Sequence, residues 1–143
     1  MRNLKRFIWS DSLLLGYGPI DNTHKEFVNC LSILLAAEDN HLLTALGALV
    51  EHLERHFREE NDWMLRTNFP ATDCHIEEHS KVLESANELL IHLQTGGDNY
   101  LCRSFSDALM NWFPGHAEYM DAPLAQWMSK LSYGGIPVVL KRK

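Results

Sequence analysis

The stretch Leu42-Leu43-Thr44-Ala45-Leu46-Gly47-Ala48-Leu49-Val50-Glu51-His52-Leu53-Glu54-Arg55-His56-Phe57-Arg58-Glu59-Glu60-Asn61-Asp62-Trp63 decides the architecture. Its apolar positions Leu42, Leu46, Leu49 and Leu53 alternate steps of four and three, which marks one packed stripe on a long helix. Carried on in the same rhythm, the stripe reaches His56, Glu60 and Trp63. A core-facing stripe therefore turns polar in mid-helix.

The segments on either side repeat the helical pattern. Asp21 can cap a first helix carrying Phe27, Val28, Leu31, Leu34 and Leu35 to about Ala37, and Glu38-Asp39-Asn40 connects it to the second. Asn68-Phe69-Pro70 ends the second helix. Thr72 or Asp73 can cap a third with the stripe Val82, Ala86, Leu89, Leu93, stopped by Gly96-Gly97. A fourth, with Leu101, Phe105, Ala108 and Trp112, runs to about Leu131. Four amphipathic helices on short connections predict an all-α, antiparallel up-down four-helix bundle. Its expected extent is residues 1–133, including an N-terminal arm (1–20) that ends in Gly16-Tyr17-Gly18-Pro19, and residues 134–143 form a C-terminal tail.

The chain has 143 residues, 45% of them hydrophobic and 22% charged, enough for one domain with a real core. With a net charge of −6 and no basic stripe before Lys141-Arg142-Lys143, it is not expected to bind nucleic acid. No apolar run reaches the roughly 18 residues of a membrane span. Asp11 interrupts the short apolar stretch near the start and no small-residue cleavage site follows, so the reading is cytoplasmic, with no membrane partner. Cys30, Cys74 and Cys102 are odd in number and scattered, against a disulfide framework or a thiolate metal site. Cys30 and Cys102 read as small core residues, while Cys74, about 100° round the helix from His75, points away from the core.

Histidine, at 8, is the unusual count. The third stripe extends backwards from Val82 onto His79 and His75, the fourth forwards from Trp112 onto His116, and the first helix opens with His24. All four helices thus place ionisable groups in one core, at the same end of an antiparallel bundle. Burying an unpartnered imidazole or carboxylate costs several kcal/mol, so the set needs one partner that satisfies it together. A metal centre does so, because His56/Glu60 and His75/His79, at i and i+4, each aim two donors at one point. The donors outnumber what one tetrahedral zinc accepts, which favours two metals, and imidazole with carboxylate but no thiolate suits iron. His41 and His92 have no paired donor one turn away and read as structural. His52, beside the stripe, is expected to neighbour the centre, and Glu59, Glu77 and Glu78 to lie on solvated faces.

Trp9, Gly16, the run Ile20-Asp21-Asn22-Thr23-His24-Lys25-Glu26, the run His56-Phe57-Arg58-Glu59-Glu60 with Met64, Phe69-Pro70, the His75/His79 pair, and Trp112 with His116 and Asp121 resemble the hemerythrin family in its bacterial single-domain form, over about residues 9–131. The resemblance implies a non-haem di-iron centre, Fe2+ or Fe3+ with a bridging oxo or hydroxo group. It places His75, His79 and His116 on one iron, His24 and His56 on the other, and Glu60 and Asp121 between them. Asp121 is taken chiefly from the resemblance: five residues after His116, it would sit about 140° away on an ideal helix. A π-bulge or a helix break near Pro114 and Pro123 would bring the two together.

The implied function is reversible O2 binding, as a carrier, store or scavenger and not as an enzyme, since the oxidising di-iron bundles are glutamate-rich. The O2 pocket is expected from Phe27, Phe57, Trp112, Phe113 and Ala117, with small anions such as azide as further ligands. Departures from the family pattern are Ala117, where a bulky aliphatic is usual, Thr23 before the first histidine, and Pro114-Gly115. Ala117 predicts a more open pocket, faster autoxidation and easy azide entry. Alternative roles are an O2 or redox sensor working through a separate partner, with the tail as its docking segment, or a di-iron peroxidase or NO- or iron-handling protein.

Overall fold

In the computed structural model, which describes residues 7–134, helix α1 (Gly18–Ala36) begins with Pro19 in its first turn, where the missing N–H is not needed. The start lies before the expected cap. Asp21 is inside the helix, buried, and its carboxylate accepts from the backbone N–H groups of Leu15 at 2.8 Å and Gly16 at 3.0 Å, tying the arm to the helix. Helix α2 (Leu42–Thr67) buries Leu42, Leu46, Leu49, Leu53, His56 and Glu60 as one stripe. Met64, not Trp63, continues it. Asn68 ends α2 in the left-handed region (φ 54°), and Phe69 N–H bonds back to the Met64 carbonyl at 3.0 Å.

Helix α3 (Thr72–Gln94) has no side-chain N-cap; Thr72 Oγ1 donates instead to the carbonyl of Phe69. Its end follows the sequence expectation: Gly96 takes φ 85° and Gly97 N–H reaches the His92 carbonyl at 2.8 Å. The last helix has three joined parts, α4 (Tyr100–His116), a π-helical segment (Ala117–Asp121) and α5 (Ala122–Tyr133), with Ala117 and Ala122 both in ordinary right-handed geometry at the joints. The expected stripe on α4 is displaced by one residue. Cys102, Ser106, Leu109, Phe113 and His116 face inward, whereas Leu101 is 48% exposed, Ala108 is exposed, and Phe105 and Trp112 are half-buried. Ser106 is tolerated in the core because its hydroxyl donates to the Cys102 carbonyl at 2.7 Å.

Each helix packs on the next, and α4 returns to α1 to close the bundle. The core falls into two apolar clusters. The larger contains Phe27, Leu31, Leu34, Leu46, Leu49, Leu53, Ala86 and Leu109; the smaller contains Tyr17, Ile20, Met64, Phe69, Leu124 and Met128. On every helix the polar residues of interest come between the two. No helix among the described residues is long and apolar enough to cross a membrane. Of the expected tail, only Gly134 lies within the described residues.

Candidate metal centre

The antiparallel arrangement brings the opening two turns or so of α1 and α3 to the level of the second half of α2 and the end of α4. His24, His56, Glu60, His75, His79, His116 and Asp121 meet there, all buried. The π-helical segment puts Asp121 among them. By widening the turn after His116, it cancels the mismatch that five residues of regular helix would impose.

The two carboxylates divide the imidazoles. Glu60 Oε1 lies 3.5 Å from His75 Nε2 and 3.4 Å from His79 Nε2, and Asp121 Oδ1 lies 3.0 Å from His75 Nε2 and 3.2 Å from His116 Nε2. Their other oxygens face the opposite way: Glu60 Oε2 is 2.7 Å from His56 Nε2, and Asp121 Oδ2 is 2.8 Å from His24 Nε2. Glu60 Oε1, Asp121 Oδ1 and the Nε2 atoms of His75, His79 and His116 are all buried without a hydrogen-bond partner, although their side chains converge within 4.8 Å of one another. Leaving even one such atom unsatisfied costs about 1–3 kcal/mol, so five around one point fit a cation that accepts all their lone pairs. His24, His56 and Glu60 form a second group of donors within 4.8 Å, sharing Glu60 with the first.

Electrostatics point the same way. Burial would raise both carboxyls, and the Asp121 charge would raise Glu60 further, but the surrounding histidines hold Glu60 down at about 2 and Asp121 well below its ordinary value. Burial opposes a charged His116, yet the Asp121 carboxylate outweighs it and pushes the imidazole up to about 9; Glu60 does the same for His56, upwards. His79 goes down, mainly through burial. The carboxylate pair therefore draws positive charge to itself, and a metal taking that place displaces the protons.

Two further side chains orient the imidazoles. His79 Nδ1 meets Asn61 Oδ1 at 2.8 Å; His116 Nδ1–H donates to Glu78 Oε1 at 2.9 Å, and the same oxygen accepts from Trp112 Nε1–H at 2.8 Å. Glu78 is thus not the solvated side chain expected. Burial would raise its carboxyl, but the hydrogen bonds from His116 and Trp112 hold it below the usual value. Its place three residues after His75 was the one available signal, whereas Asn61 had none. His52 is buried beside the donors and not among them: its ring lies 5.5 Å from that of His56, and burial, reinforced by the His56 charge, pushes it down to about 4. Of the other two, His41 is exposed and the half-buried His92 packs over Gly97. Cys74 is exposed, Cys102 buried and Cys30 half-buried.

A tight apolar cavity abuts the centre, lined by Phe27, Leu53, His56, Phe57, Trp112, Phe113, His116 and Asp121, with no room for a water-sized sphere. Four of the five expected pocket residues line it. Ala117 does not: it is buried within the larger apolar cluster, and Leu53 stands in the wall instead. Phe7, from the arm, sets its ring edge-on against Phe27 at 6.3 Å and Phe113 at 5.9 Å, covering that wall from outside.

Comparison with known proteins gives a consistent result. Residues 15–128 match the hemerythrin HHE cation binding domain. The chain is 34% identical to a bacteriohemerythrin of Ralstonia nicotianae over 122 residues, covering 85% of this chain and 88% of that protein. It is 29% identical to a myohemerythrin of Riftia pachyptila over 83 residues, 58% of this chain and 68% of that protein. A bacteriohemerythrin of Stenotrophomonas maltophilia is 25% identical over 138 residues, 90% of each chain. No solved structure matches the chain.

Proposed function

The chain belongs to the hemerythrin family, and from that premise we propose that it binds O2 reversibly at a di-iron centre, as a carrier, store or scavenger in the cytoplasm. The family reading favours oxygen binding over catalysis. His75, His79 and His116 would hold one iron and His24 and His56 the other, with Glu60 and Asp121, each of which faces both groups, shared between them. The observation that carries this reading is the division of the carboxylate oxygens, one of each toward three imidazoles and one toward two. Seven protein donors would give the two-histidine side one ligand fewer than the other, which suits a small ligand entering there. When bound, the irons supply the electrons that O2 takes up reversibly.

The remaining work is done by the protein. Phe27, Leu53, Phe57 and Phe113 exclude water from the cavity beside the centre, so the protons that would turn reduced oxygen into released peroxide are withheld. Phe7 reinforces that wall. Azide, small and anionic, is the expected competitor of O2.

Stopped-flow mixing of the anaerobically reduced, iron-loaded protein with O2 tests the proposal. A stable oxygenated spectrum that reverses on removing O2 is expected. Rapid oxidation with release of hydrogen peroxide would replace it with a redox sensor or peroxidase. One zinc per chain in the purified protein would remove the di-iron premise.

A further inference from the structure

Metal-binding histidines depend on what their second nitrogen meets, because an acceptor on Nδ1–H fixes the ring and its tautomer and strengthens the Nε2 donor. The three imidazoles on one side of the centre differ in this respect. Among the described residues His75 Nδ1 has no partner, His79 Nδ1 meets the neutral amide of Asn61, and His116 Nδ1–H meets the carboxylate of Glu78. Hydrogen bonds to an ionised acceptor are roughly twice as strong as neutral ones, so the three donors are graded. Glu78 is itself held in place: the oxygen that accepts from His116 also accepts from Trp112, whose ring stacks on His116 at 4.3 Å with 24° between planes.

The position of His116 gives this clamp a purpose. It is the last residue of α4, and the π-helical segment begins immediately after it. The backbone there has left regular α-helical bonding in order to deliver Asp121. A ring at such a joint is positioned less firmly by its own helix than one in mid-helix. Glu78 reaches it from α3, a separate and regular element.

Resting on the reading of the seven residues as a metal centre, we propose that Glu78 is a positioning residue, which with Trp112 locks the ring and tautomer of His116 and makes it the strongest imidazole donor of its set. Glu78 touches no reacting group; it acts through His116.

The test uses the full chain and zinc(II), a diamagnetic probe, titrated against a competing chelator. Wild type should take up two zinc ions. Glu78→Ala should weaken zinc binding by about 10- to 100-fold. Glu78→Gln, which keeps an acceptor and loses the charge, should fall between, and Glu77→Ala, which removes an exposed carboxylate one residue away, should match wild type. In the 15N-labelled zinc form, the exchange-protected Nδ1–H signal of His116 should be present in wild type, shifted in Glu78→Gln and lost in Glu78→Ala. Unchanged zinc affinity or a retained signal in Glu78→Ala overturns the proposal, as does an equal loss in Glu77→Ala. A wild-type chain that binds no zinc overturns instead the metal-centre reading on which the proposal rests.

Discussion

The larger apolar cluster and the polar layer beside it lie on the same stripes of the same helices and are equally sealed: Leu46 and Leu49 are 0% exposed, and so are Glu60 and Asp121. Burial alone does not distinguish them. Each leucine contributes about 1.5–3 kcal/mol through its own contacts, largely whatever its neighbours are. Each polar residue is favourable only in company, since removing one leaves others buried and unmatched. One region fails gradually and the other as a unit.

The sharpest way to break this contrast is Glu60→Ala. It deletes the carboxylate shared by both donor groups, so iron content should fall from two per chain to less than one by metal analysis, with loss of the optical spectrum. Wild-type iron content in that variant would show that the layer is not a unit. Next is Leu46→Ala, expected to cost about 2–5 kcal/mol in denaturant unfolding while leaving two irons per folded chain in the cold. Iron loss from the still-folded variant would mean that the regions are coupled. A smaller effect is expected of Ala117→Ile: overpacking of about 1–3 kcal/mol with azide entry into the diferric protein unchanged, because Ala117 is absent from the cavity wall. Slower azide entry, with iron intact, would put the residue back in the pocket. The smallest is Glu59→Ala, exposed and next to Glu60, which should alter stability by no more than about 0.5 kcal/mol and leave iron content alone.

Much of this was legible in the sequence because α2 and α3 each carry one unbroken three-and-four stripe, and continuing it past the leucines lands on the donors. Helix α4 was harder. Two stripes compete there, Leu101-Phe105-Ala108-Trp112 and Cys102-Ser106-Leu109-Phe113, and the less apolar one is buried. Phe113 and His116 share that face, and a local hydrogen bond removes the penalty on Ser106. The start of α1 was misplaced because Asp21 has the chemistry of a cap but uses it on the arm instead. Asn61 and Glu78 reach their histidines across helices, 18 and 38 residues away in sequence, where no periodicity applies.

The π-helical segment makes the fourth helix sensitive to counting. Between His116 and Asp121 the identities of the four intervening side chains matter less than their number, because the wider turn exists to accommodate that number. A one-residue insertion among Ala117, Glu118, Tyr119 and Met120 would keep every donor in the chain yet swing Asp121 round the helix axis by about 100°, whereas a one-residue deletion would leave His116 and Asp121 four apart, the spacing at which a regular helix already aligns them. The insertion would rotate the inner face of α5, Leu124, Ala125 and Met128, by the same angle. In comparisons among relatives, a single inserted residue in this stretch therefore signals more than several substitutions: motif matching would still find all seven residues, while the bundle could no longer bring them together.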